Sequence, residues 1–104
     1  METSPILKVA VLADGRTAVF PESKQADYQY VYREAAGVYW DQTMECFVST
    51  PPQEWSPQKW YQQIVSVVRS GVGLHMVLTG DTEYESKDVG FEAAIKLADQ
   101  DLWQ

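Results

Sequence analysis

Residues 56–71 set the tightest limit on what this chain can fold into. Ser56 is a good helix N-cap, and Pro57 suits the first helical position, where its missing N–H costs nothing. Trp60, Ile64, Val67 and Val68 then recur on one helical face, widened by Tyr61 and Val65. Arg69 falls in the last turn, where its charge complements the helix dipole, and Gly71 is the expected stop. A face this wide is buried by lying on a sheet, so the rest of the chain has to supply one.

The sheet is written mostly ahead of the helix. Residues 5–12 are β-favouring, the run Ala13-Asp14-Gly15-Arg16 carries an Asp-Gly hairpin turn, and residues 17–20 return before Pro21. Tyr28, Tyr30 and Tyr32 alternate with Gln29, Val31 and Arg33, which assigns a strand. Tyr28, Val31, Tyr32 and Ala35 also fall at helical spacing, with Gly37 as a possible C-cap. Residues 38–40 and 46–48 flank a polar stretch and predict a second hairpin, and Pro51-Pro52 marks the exit from the sheet. After the helix, residues 73–79 predict a strand and residues 82–86 an acidic loop. Phe91, Ile95, Ala98 and Leu102 form the stripe of a helix over 88–102.

The order is therefore β-β-β-β-β-α-β-α. It predicts an α+β fold with a mainly antiparallel sheet of about five to six strands and two helices on one face. At 104 residues the chain has the size of one domain, 1–104. Its 45% hydrophobic content supplies a core without staples, and a single cysteine rules out an intrachain disulfide. The start of the chain lacks the basic and apolar regions of a signal peptide, and no apolar run is long enough to span a bilayer. A cytoplasmic protein without membrane attachment is the expectation.

Charge narrows the partners. Residues 81–104 carry seven acids against two lysines, a net of −5 out of −7 for the whole chain. Such a surface repels a phosphate backbone, which disfavours nucleic acid. A solvated helix face that keeps the protein soluble is the first account of it, and a basic protein partner, met in the manner of an inhibitor or immunity protein, is the second.

Catalytic signatures are scarce. One His and one Cys exclude the zinc sets and two-histidine metal motifs, and no cofactor is expected. Gly71-Val72-Gly73 lacks the third glycine of a dinucleotide loop and follows a helix, and Ser56 beside Lys59 is spent as a cap. Cys46 reads as a small buried hydrophobe, and Asp41 with Glu45 as a turn. The best chemical grouping is His75 with Asp81, Glu83 and Glu85, the histidine on a central strand and the acids just past its end. That grouping would suit general-base chemistry or a divalent ion in a small-molecule site.

Aromatic residues make the other grouping. Tyr28, Tyr30 and Tyr32 on one strand face, joined by Tyr39 or Trp40, would form a patch suited to an interface or a flat ligand, unless it is simply core. The leading expectation is a non-enzymatic binding or regulatory module, a homo-oligomer associating through this aromatic sheet face.

Overall fold

The computed structural model describes residues 2–33, 37–50 and 55–103. Strand β1 (Glu2–Val11) and strand β2 (Thr17–Pro21) form the first hairpin, with Val9 opposite Val19 and Ala10 opposite Ala18. Gly15 takes the left-handed conformation that closes its turn, and the Asp14 carboxylate accepts from the backbone N–H and Nε of Arg16. A register shift lies between Ile6 and Lys8. The second hairpin joins β4 (Val38–Asp41) to β5 (Cys46–Ser49). Asp41 Oδ1 accepts the Met44 N–H at 2.9 Å, so this carboxylate is a turn-former.

The strand expected over residues 28–33 is a 3₁₀ turn, Ala26–Tyr30, followed by a two-residue edge strand, β3 (Tyr32–Arg33). The reason is tertiary. Rotating out of the strand lets the Tyr28 ring enter the core between Trp40 and Phe47, each 5.2 Å away. Pro51-Pro52 and Ala35 lie outside the described residues.

Helix α1 (Pro57–Val72) begins as the sequence dictates, with Ser56 Oγ accepting the Lys59 N–H. It runs past Gly71 to a left-handed C-cap at Gly73, whose N–H donates to the Arg69 carbonyl. Trp60, Tyr61, Ile64, Val65 and Val68 are buried. The chain then enters β6 (Leu74–Val77) directly, forms β7 (Glu83–Glu85) and ends in α2 (Phe91–Leu102).

The sheet order is β3-β4-β5-β2-β1-β6, with β7 also paired to β1. The fold is α+β with a mixed sheet, mostly antiparallel. The parallel pairs are β1 with β6 and β1 with β7. They share one side of β1: residues 2–5 pair with β6 and residues 8–10 with β7. Two expectations change here. The strand holding His75 is at an edge of the sheet, not its centre, and the acidic loop over 82–86 contains strand β7.

Helix α1 lies across β2, β4, β5 and β6, while α2 packs on α1 and reaches β7. The main core is closed between the sheet and these helices by Val9, Val19, Val38, Phe47, Ile64 and Ile95, among others. Alternation along the strands sends Ala18, Cys46 and Val48 to the other face, where they form a second cluster. No described helix is long and apolar enough to cross a membrane.

Candidate functional site

The predicted aromatic row is not one surface. Tyr28 is 1% exposed, and its hydroxyl hydrogen-bonds the Ser23 hydroxyl. Tyr30, two residues on in the same 3₁₀ turn, is 73% exposed. Tyr32 pairs through its backbone with Tyr39. Trp40 joins Tyr28 and Phe47 on the helix-covered face and donates Nε1–H to Gln42 Oε1 at 2.8 Å. A 3₁₀ turn has three residues per turn, so Tyr28 and Tyr30 diverge where strand geometry would align them. Association through a row of Tyr28, Tyr30 and Tyr32 therefore loses its basis.

The His75 grouping is also dispersed. His75 stands opposite Thr3, whereas Glu83 stands opposite Lys8 on the same strand. Five residues of β1 separate those registers, roughly 16 Å, too far for shared proton transfer or a shared ion. His75 packs on Trp103 instead, ring centres 4.5 Å apart. Asp81 and Glu83 are exposed, and Glu85 pairs with Lys8 at 3.1 Å. Among the described residues, no three His, Cys, Asp or Glu side chains converge as metal ligands. Burial pushes the Cys46 thiol up to about 12, so it is neither thiolate nor nucleophile at neutral pH.

What the fold assembles is the sheet face turned away from the helices. Ala10, Ala18, Cys46 and Val48 form its floor, each at most 1% exposed. Leu12, Phe20, Tyr39 and Met44 lie half-buried over that second cluster. Each arrives by strand register: Ala10 opposite Ala18, Ala18 opposite Val48, Val48 opposite Tyr39. An antiparallel sheet with one open face ordinarily puts polar residues there. Here the centre is apolar and charges keep to the rim. Arg16 donates to the Tyr39 hydroxyl, and the Lys8 ammonium sits 4.6 Å from the centre of the Phe20 ring while pairing with Glu85.

Among the expected patch residues whose side chains are described, Tyr39 is the one found in this cluster. Leu12, Phe20 and Met44 were missed, though a signal existed: Ala18 and Phe20 in β2 and Cys46 and Val48 in β5 are apolar on the same alternate positions as Val19 and Phe47 are on the other face.

The solved structure of the integron cassette protein Hfx_Cass5, from the mobile metagenome of the North West Arm sewage outfall, is 30% identical to this chain. The similarity covers 94% of this chain and 96% of that one, with a TM-score of 0.43. No curated protein matches. The family model described as Integron Cassette Protein Hfx_Cass5 matches residues 8–82, from β1 to the threonine that precedes β7. That match spans most of the chain, and the protein belongs to the Hfx_Cass5 family of integron cassette proteins.

Proposed function

We propose that this protein is a non-enzymatic binding module of the cytoplasm that pairs with a second copy of itself through the open sheet face. The observation that carries this reading is the apolar floor and half-buried aromatic roof on the side that no helix covers. Apolar centres with polar rims are the anatomy of protein interfaces. The rim carries both signs, Lys8 and Arg16 against Asp14 and Glu85, so two copies related by a two-fold axis can present unlike charges to each other. A single unpaired thiol, buried here, suits a reducing compartment.

Phe20→Glu places a carboxylate in the middle of this face. It is expected to abolish self-association while leaving the far-ultraviolet circular dichroism unchanged. Association of unaltered strength in that variant would remove the face from consideration.

A further inference from the structure

We infer that the hollow between the C-terminal ends of α1 and α2 is a binding site for a small organic carboxylate with a flat apolar body. The hollow measures about 410 Å³ and is lined by Ser66, Arg69, Ser70, Leu102 and Trp103. That is room for a single-ring ligand, within the usual range of small-molecule sites.

Arg69 is the centre of the argument. Its guanidinium carbon stands 4.7 Å from the centre of the Trp103 ring, and it pairs with no carboxylate among the described residues. A guanidinium beside an indole ring still has planar N–H donors to offer, and such a fork can grip a carboxylate through two parallel hydrogen bonds.

Ser66 and Ser70, one helical turn apart, line the hollow with Arg69, and neither hydroxyl has a partner among the described residues. The indole is fixed from its other contacts. Its Nε1–H donates to Asp99 Oδ1 at 3.3 Å, and its ring packs on His75. Leu102 and the indole thus give an apolar wall beside a fork and two hydroxyls. A helix dipole is satisfied by any cation in the last turn. It does not require the fork to lie on an indole between two free hydroxyls. One unpaired guanidinium balances one negative charge, which selects a monoanion over a doubly charged phosphate.

The test follows the Trp103 indole N–H and the Arg69 Nε–H by ¹H–¹⁵N correlation spectroscopy on the full chain. Benzoate is the probe, with benzamide as its neutral isostere and inorganic phosphate as the small anion. Benzoate is expected to move both signals saturably, with little response to benzamide or phosphate. Arg69→Lys retains the charge but not the fork, and is expected to weaken benzoate binding about tenfold. The Ser66→Ala, Ser70→Ala double variant, which leaves the cation in place, is expected to weaken it by several-fold. Equal shifts with benzamide or phosphate, no shift at tens of millimolar benzoate, or unchanged affinity in both variants would overturn the assignment.

Discussion

The Thr82 hydroxyl donates a 2.7 Å hydrogen bond to the Ile6 carbonyl, joining residues 76 positions apart. It does so where β1 changes partners, after Pro5 has paired with β6 and before Lys8 pairs with β7. The same oxygen accepts the Thr79 N–H at 2.9 Å, so one buried side chain satisfies two backbone groups that the change of partner leaves open.

Replacing that hydroxyl by a methyl leaves both groups unsatisfied. Thr82→Val is expected to lower unfolding free energy by about 1–3 kcal/mol, whereas Thr82→Ser retains most of the stability. Urea titration of the three proteins distinguishes them.

Any side chain at Gly37 is strained. Its φ is +73°, and an added Cβ would stand 2.8 Å from Trp60 Cη2. Backbone strain and the clash act together, so Gly37→Ala is expected to cost about 1–3 kcal/mol, measured by thermal or chemical unfolding.

The two helices are tied by Tyr61, whose hydroxyl donates to Asp99 Oδ1 at 2.7 Å, and by Gln62, whose side-chain N–H donates to the Ala98 carbonyl. Tyr61→Phe keeps the packing and removes the donor. A loss of about 1.5–3 kcal/mol is expected, because the partner is an anion, with hydrogen exchange in α2 accelerated.

Stability is expected to fall at high pH. The Cys46 thiol is raised from 9.0 to about 12 by burial. Between those values the unfolded thiol has lost its proton while the folded one keeps it, so rising pH favours unfolding. The contribution approaches about 1.4 kcal/mol per pH unit. Tyr28 and Tyr84, raised by burial, act in the same direction. Cys46→Ala is expected to make the decline from pH 9 to 12 shallower but not to abolish it.

The sequence carries the fold plainly where local chemistry decides it. Ser56, Pro57 and the apolar face of Trp60, Ile64 and Val68 defined α1, and Asp14-Gly15 defined the first turn. Tertiary pairing decides the rest. Tyr28 alternates like a strand residue, but its ring gains more from the pocket beside Trp40 and Phe47. Glu83 and Glu85 flank Tyr84 and read as loop, yet β1 offers them an unoccupied edge. His75 lies close in sequence to the acids, and the register along β1 sets them apart. The open face was legible only in the apolar residues on both sides of β2 and β5.

Sedimentation velocity across the micromolar range decides whether two copies of the chain pair. Self-pairing through the open sheet face predicts a concentration-dependent dimer in the unmodified protein and a folded monomer for Phe20→Glu combined with Met44→Glu. A protein that sediments as a monomer at every concentration would contradict it.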